Sequence, residues 1–329
     1  MGTEIEVSVA DGTKWRGIAD IASGFFPDLR SQMWDYYWSI VSANTDEPPA
    51  DKSLVVRSRD GFAIAVLPMI EQGGVFSYFG QPAEALFNCN CDAVQVDVAA
   101  RALREHLLEL AEQTGAIIKW FDAAPASGSQ WLPNWQEKLL SAGARTAFVY
   151  RGAVDLGLRE AGLKRSLRKS FKSLVNWGRR EMEIAFHSGT SADFGVFEEF
   201  RLFHARIAGR VTRPRQSWDE MYKLAVENRG FLCTGLLDGE MVAATYVFHD
   251  TSSALYGTGV YERDLFEKPI SHWPIYASIV KCMEMGLEHF DLGEVFLPAD
   301  ASEKEKSIGF FKKGFSQYTT SRCVWTLGQ

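Results

Sequence analysis

A mixed α/β chain of two domains is what this sequence predicts, on three observations. Its 329 residues exceed a comfortable single α/β domain, and at about 150 residues per domain the length divides into two. Both halves carry helical patterns first and β-rich runs after. Each half also places an Asp-Gly pair between two β-rich runs, at Asp60-Gly61 and at Asp238-Gly239, where a tight hairpin needs positive φ angles.

Composition narrows the functional classes. Hydrophobic residues at 46% and charged residues at 23% allow substantial cores and exclude a disordered polymer. A formal net charge of -7 argues against wholesale nucleic-acid coating, so any anion site has to be local. The five cysteines are odd in number and lie mostly in apolar runs, which suits reduced thiols better than a disulfide framework. Cys89 and Cys91 form only a C-x-C, too little for a zinc site without a second pair, and no metal is expected. The opening MGTEIEVSVADGTKW has no apolar leader, and no run approaches the ~18 apolar residues of a spanning helix. A cytoplasmic protein is expected, and attachment to a membrane surface is compatible with that reading.

Taken in order, the first half reads as a helix about Gly12 to Gly24 and a second about Arg30 to Ala43. Two strands then flank Asp60-Gly61, and VFSYFGQP is a further strand entering a Gly/Pro turn. A helix from Asp97 to Gly115 has Val98, Leu103, Leu107, Leu108 and Ala111 on one side, and AIIKWFDA follows as a buried strand. TAFVYRGAVDL closes the half. Residues 163–180, LKRSLRKSFKSLVNWGRR, predict one amphipathic helix with Leu163, Leu167, Phe171 and Leu174 at helical spacing. Its other faces carry Lys164, Arg165, Arg168, Lys169, Lys172, Arg179 and Arg180 with no acidic residue. It reads either as a solvated linker or as an anion-facing helix.

The second half predicts helices from Ala192 to Ile207 and from Trp218 to Asn228, then strands GFLCTGLL and EMVAATYVFHD about Asp238-Gly239, and SALYGTGVYE. A helix (SHWPIYASIVKCMEMG), a short strand (HFDLGEV), a helix (SEKEKSIGFFKKGF) and a last strand (TSRCVWTL) complete it. The expected division is an N-terminal domain over 1–158, a basic linker helix over 159–182 and a C-terminal domain over 183–329.

Four segments in this order resemble the FemAB family of acyl and aminoacyl transferases: LREAGLKRSLRKSFKSLVNWGRREMEI, FHARIAGRVTRPRQSW, DLGEV and KSIGFFKKGFSQ. The resemblance covers residues 150–325 best and is weaker before them. It implies two tandem GNAT-like domains, each a mixed and largely antiparallel sheet flanked by helices. It further implies transfer of an acyl or aminoacyl group to an amine, often on a peptidoglycan precursor or an amino sugar. The donor is then a co-substrate, aminoacyl-tRNA or acyl-CoA, and no tightly bound cofactor is expected. A tRNA or other anionic donor would meet the helix at 163–180, and the acceptor would be a small-molecule, glycan or peptide precursor. The long helical arm of the family is absent, since no heptad run occurs.

Carried onto this sequence, the family's Phe-Lys pair is Phe311-Lys312, which places an ammonium beside the reacting carbonyl. A fixed cation there stabilises the oxyanion of acyl transfer more than the ground state. The alternative is that Lys312 and Lys313 are the usual cations of a helix end before a cap at Gly314. The generic GNAT tyrosine that protonates the thiolate of coenzyme A falls on Phe310, which has no proton to give; Tyr276 and Tyr318 are the available substitutes. The loop expected to cradle pyrophosphate, ERDLFEKPI, lacks glycine. His204 is a candidate base, or else a hydrogen-bonded core histidine. Arg210 and Arg213 are candidate anion holders, with Arg215 either with them or capping a helix end. Asp291 and Glu294, flanking Gly293 at a strand end, could bind the acceptor amine or take its proton, and Asp291 could equally tie the strand to a neighbour. Tyr256 is a candidate substrate contact, and Tyr78, Gly80 and Gln81 form a weaker one in the first half.

Overall fold

The structure is a computed structural model and describes residues 5–9, 29–43, 47–126, 132–298 and 301–328. The helix expected about Gly12 to Gly24 lies outside the described residues. The chain divides into two compact units, Met1–Val149 with Arg322–Gln329, and Tyr150–Ser321.

The first unit contains strand β1 (Ile5–Val9), helices α1 (Leu29–Gln32) and α2 (Trp34–Ser42), and strands β2 (Ala50–Asp51), β3 (Leu54–Ser58) and β4 (Ala63–Leu67). Strands β5 (Ile70–Gln72), β6 (Val75–Ser77) and β7 (Leu86–Phe87) come next, then helix α3 (Ala93–Thr114), strand β8 (Ile117–Asp122) and helix α4 (Asn134–Ser141). The predicted hairpin is β3–β4, antiparallel with Leu54 opposite Leu67, and Gly61 takes φ 86° in its turn. Helix α3 buries Leu103, Leu107 and Ala111, one face of its helical period. A reciprocal Asp92–Gln95 capping box starts it and Gly115 at φ 65° stops it. The strand order β1-β3-β4-β7 makes one sheet, and β6 pairs β8 in parallel in another, which continues through β5 to β2. Val56, Ile64, Val66 and Trp120 lie in the core of this unit.

In the second unit the chain continues through strand β9 (Arg145–Asp155), helices α5 (Glu160–Ser166) and α6 (Lys169–Glu181), strand β10 (Glu183–His187), and helices α7 (Phe194–Ala208) and α8 (Arg215–Val226). Strands β11 (Gly230–Leu237), β12 (Glu240–His249) and β13 (Ser253–Tyr261) are followed by helix α9 (His272–Glu284), strand β14 (His289–Phe296), helix α10 (Glu303–Lys312) and strand β15 (Tyr318–Leu327). The sheet runs β10-β11-β12-β13-β14-β9. β10 to β13 are antiparallel neighbours, β14 is parallel to β13, and β9 is antiparallel to β14. Asp238 at φ 53° and Gly239 at φ 84° make the β11–β12 turn, both positive as the sequence requires.

Three expectations change. The basic stretch is two helices rather than one, because Leu167 and Arg168 are extended, with ψ of 145° and 135°. The break lets the Arg168 N–H donate to the Gly314 carbonyl at 2.9 Å. Nor is this stretch a linker: Leu163, Leu167, Phe171 and Val175 belong to the core of the second unit. The division between units therefore falls at Val149/Tyr150 within β9, and the chain re-enters the first unit at Arg322 within β15. There β15 pairs with β8, Trp325 opposite Trp120. Finally, α8 begins at Arg215 behind Pro214, three residues before the expected Trp218, as proline at a helix start favours.

Candidate active site

Strands β13 and β14 pair only where Ser253–Leu255 face His289–Asp291. Beyond that point β13 follows β12 and β14 follows β9, each through a bulge, between Tyr246 and Val247 on one side and between Asp291 and Gly293 on the other. Bulges bend a strand away from its neighbour, and a gap opens between the two.

Helix α10 descends onto this gap. It starts in a Ser302–Glu305 capping box, and Gly309 lets it approach β14, since a Cβ there would lie 3.1 Å from the Val295 carbonyl. Its last residue, Lys312, holds Nζ 5.7 Å from the ring centre of Tyr256 on β13. On the opposite strand, a Cβ at Gly293 would come within 2.9 Å of the same nitrogen. The ammonium thus sits across the gap, and among the described residues it makes no hydrogen bond or salt bridge. Burial lowers its pKa from the usual 10.5, the Arg151 guanidinium adds to the fall, and the Asp291 and Glu294 carboxylates oppose it.

The two carboxylates differ in freedom. Asp291 is held by Arg151 Nε at 2.7 Å and accepts the Gly293 N–H at 2.6 Å, a contact made possible by Gly293 at φ 81°. It therefore does tie strands β14 and β9 together. Glu294 is exposed and lies opposite Arg151 in register. Behind Tyr256 its hydroxyl meets the Tyr261 hydroxyl at 3.2 Å, which meets Thr245 Oγ1 at 3.0 Å. Burial raises the pKa of both phenols, so both stay protonated.

His204 and Arg213 stand on the other face of the sheet. Tyr256 pairs with Val247 and Thr258 with Tyr246, adjacent β12 positions that point to opposite faces. Arg213 donates to Thr258 Oγ1 at 3.1 Å and stacks 4.7 Å over Trp218. His204 packs edge-on against the same Trp218 at 5.2 Å, with its Nδ1 3.2 Å from Thr212 Oγ1. Burial and then the Arg213 charge push its pKa down to about 4, which makes it a weak base at neutral pH. Arg210 is exposed. Arg215 is the first residue of α8 and pairs with Glu198 at 3.2 Å and Asp219 at 2.9 Å, so it staples α7 to α8 rather than capping a helix C-terminus.

Several other expected site residues are placed as packing. Phe311 lies against Phe171, His272 and Phe315, at ring-centre distances of 5.7, 5.3 and 5.3 Å; it anchors α10 while its neighbour Lys312 faces the gap. Gly314 is no left-handed cap: it is not among the positive-φ glycines, and the residue that closes α10, Lys313, is in the right-handed helical region. It is glycine because a Cβ would fall 2.0 Å from the Phe171 ring. Lys313 turns away to lie 3.7 Å over the Phe296 ring, so the two adjacent lysines have separate surroundings. Tyr78 is buried in the first unit, donates to the Arg30 carbonyl at 2.5 Å and packs on Trp34 and Phe79. The sequence reading missed Arg151 and Thr258. Arg151 belongs to β9, 140 residues before its partner Asp291, and no local pattern links them.

No family model and no curated protein matches the chain. Solved structures do. FemX is similar over 97% of this chain and 96% of its own, at 12% identity and a TM-score of 0.64. L-PGS from Bacillus licheniformis is similar over 97% of this chain and 92% of its own, at 13% identity and a TM-score of 0.60. A tandem GNAT protein from the clavulanic acid biosynthesis pathway, solved without AcCoA, is similar over 99% and 98%, at 14% identity and a TM-score of 0.51. This chain has the tandem GNAT fold. In the second half of the chain, the three antiparallel strands β11 to β13, helix α9, strand β14, helix α10 and strand β15 follow in the order the sequence predicted. Identities this low establish the fold alone.

Proposed function

We propose that this protein transfers an acyl or aminoacyl group to an amine, on a sugar or peptide precursor of the cell envelope, with Lys312 stabilising the transition state. The observation that carries this reading is the unpartnered, partly buried ammonium set between β13 and β14. An acyl carbonyl entering the gap would place its oxygen beside Nζ. As the amine attacks, the C–N bond forms and charge collects on that oxygen, where a fixed cation acts most strongly. Glu294, exposed and without the bonds that hold Asp291, is assigned the proton lost by the amine. When the bond to the leaving oxygen breaks, Lys312, whose pKa is lowered, gives that oxygen a proton.

The donor we infer is a polyanionic ester such as aminoacyl-tRNA rather than acetyl-CoA. Phe310, at the place of the thiolate-protonating tyrosine, is exposed with Arg168 stacked 4.0 Å over its ring. Tyr276, a candidate substitute, is buried and donates to the Glu160 carbonyl at 3.3 Å. The first turn of α9, where a pyrophosphate would sit, is covered by α6: Phe171 packs 4.5 Å from the His272 ring, and a Cβ at Gly178 would lie 2.3 Å from Trp273 Cβ. Around α5 and α6 the cations Arg165, Lys169, Arg179 and Arg180 offer a surface to a polyanion. No helix of the described residues is long and apolar enough to cross a membrane.

Calorimetric titration with charged tRNA and with acetyl-CoA, each at two salt concentrations, tests the reading. Salt-sensitive tRNA binding with acetyl-CoA no tighter than about millimolar supports it. Micromolar, salt-insensitive acetyl-CoA binding without tRNA binding replaces it with a coenzyme A dependent transferase.

A further inference from the structure

Two cations, Arg151 and Lys312, and two carboxylates, Asp291 and Glu294, act on one another at the bulge of β14, and the pairing among them is uneven. Asp291 is held from two sides: Arg151 Nε donates to Oδ2 at 2.7 Å and the Gly293 N–H to Oδ1 at 2.6 Å. The Lys312 ammonium stands at the same glycine, 2.9 Å from where a Cβ on Gly293 would be. A small turn of the lysine stem or of the carboxylate would bring Asp291 and Lys312 together, but among the described residues no hydrogen bond or salt bridge joins them. Arg151 takes the carboxylate instead. Its backbone is fixed on both flanks, opposite Glu294 on β14 and beneath Thr320 Oγ1, which donates to its carbonyl at 3.4 Å. A guanidinium is also more weakly hydrated than an ammonium and loses less on leaving water. The pair is partly sheltered, Arg151 at 21% exposure and Asp291 at 35%, whereas Glu294 is exposed, where water competes for its charge.

We propose that Arg151 is a positioning residue for Lys312: by holding Asp291 it denies that carboxylate to the ammonium and keeps the ammonium unpaired at the gap. The groups facing Lys312 are Arg151 from β9, Asp291 and Glu294 from β14 and the Tyr256 phenol from β13, and Tyr318 of β15 lies within electrostatic reach of Asp291. Without Arg151, Asp291 is the sheltered anion nearest to hand, and an opposite charge at ion-pair distance favours the charged ammonium. The electrostatics agree with the geometry, since burial lowers the pKa of Lys312 and the Arg151 charge lowers it further. An ordinary cross-strand tie would fix β9 to β14 and leave Lys312 indifferent to it. The inference rests on the proposed function for what the free ammonium does, and on the contacts around Gly293 for why it is free.

The test reads the ammonium itself and needs no donor. The full chain is labelled with 13C-lysine, the Lys312 signal is assigned by its loss in Lys312→Met, and its titration is followed by NMR from about pH 6 to about pH 11. Thermal melts accompany every variant. In Arg151→Met the freed Asp291 turns to Lys312, and the midpoint rises by about one pH unit or more, as a carboxylate at ion-pair distance gives. Arg151→Gln, which keeps a polar residue on the strand, moves it the same way and serves if the methionine variant does not fold. Adding Asp291→Asn, which keeps an acceptor for the Gly293 N–H, brings the midpoint back down, and Arg151→Lys, which keeps a cation for Asp291, stays near the natural chain. In transfer assays kcat falls about tenfold in Arg151→Met and recovers when Asp291→Asn is added. A rise smaller than about half a pH unit in folded Arg151→Met or Arg151→Gln, or a double variant that titrates as high as the single one, overturns the inference. If the titrations move as expected and no donor yields transfer, the role of Arg151 stands and the transferase reading falls; transfer with an unmoved titration does the reverse.

Discussion

Replacing Lys312 by methionine keeps an unbranched stem of similar length and removes only the charge. An oxyanion about 4 Å from Nζ, at the effective dielectric of about 20 that suits partly buried sites, interacts with it by about 4 kcal/mol. Loss of one such group from other acyl-transfer sites lowers kcat about 10²–10³-fold, and that range is expected for Lys312→Met, with KM changed less than about threefold. The fold points the other way. Lys312 has a folded-state pKa below its usual 10.5, so its contribution to stability is fully present above 10.5 and is lost as pH falls through the lowered value. At neutral pH the ammonium therefore destabilises the fold, and Lys312→Met melts at the same temperature or higher. Lys313→Met removes a cation lying over Phe296, outside the gap, and should cost less than about threefold in kcat. The assay follows labelled aminoacyl groups from charged tRNA onto amine acceptors, beside thermal melts at pH 7. Equal, small losses for the two lysines, or a Lys312→Met protein that melts early, refute the placement of the ammonium at the reacting carbonyl.

Gly293→Ala puts a Cβ 2.9 Å from Lys312 Nζ at φ 81°; a left-handed residue costs about 1–2 kcal/mol, so a lower melting temperature and a fall in kcat are expected together, and either alone contradicts the geometry. Arg213→Gln, which removes the donor to Thr258 and the stack on Trp218 on the face away from Lys312, should cost about 1–2 kcal/mol of stability with KM and kcat nearly kept, while exposed Arg210→Gln costs less; thermal melts beside steady-state kinetics check this, and a raised KM in an Arg213→Gln protein of unchanged stability would contradict it. His272, buried among Phe171, Phe311 and Phe315, has its pKa lowered to about 4 by burial, so its stabilising share is complete above pH 6.5 and is lost as pH falls towards 4. That share is at most about 3 kcal/mol, since each pKa unit is worth about 1.4 kcal/mol and partial exposure reduces it. Urea melts at pH 7 and pH 4.5 should show a shallower acid loss for His272→Phe than for the natural chain; identical slopes would place the acid sensitivity elsewhere.

The hairpin turns and most helices were legible because their causes are local. Asp238-Gly239 adopts positive φ at both positions, and Leu103, Leu107 and Ala111 mark the buried face of α3. Lys312 was singled out only through the family resemblance, since at a helix end the residue alone does not distinguish a reacting cation from a capping one. Local pattern failed where a distant contact decides. The break at Leu167–Arg168 answers to the Gly314 carbonyl, and the glycine at 314 answers to the Phe171 ring. Short strands such as β2 and β7, with two residues each, carry no period to read. Helix α4, over Asn134–Ser141, went unpredicted because only Gln136 and Leu139 of it are buried, too few to mark a face.

The last strand gives the chain an order of completion unlike its order of synthesis. Residues Tyr150–Ser321 form the second unit without interruption, whereas the first unit needs Arg322–Gln329. Among these, Trp325 is fully buried and pairs with Trp120 on β8. On a ribosome releasing the chain from its N-terminus, the first unit would wait with a slot in its core until Arg322–Gln329 emerge, and the second could close before it. A stop codon just ahead of Arg322 would then leave Lys312 in place and damage the half of the molecule made first.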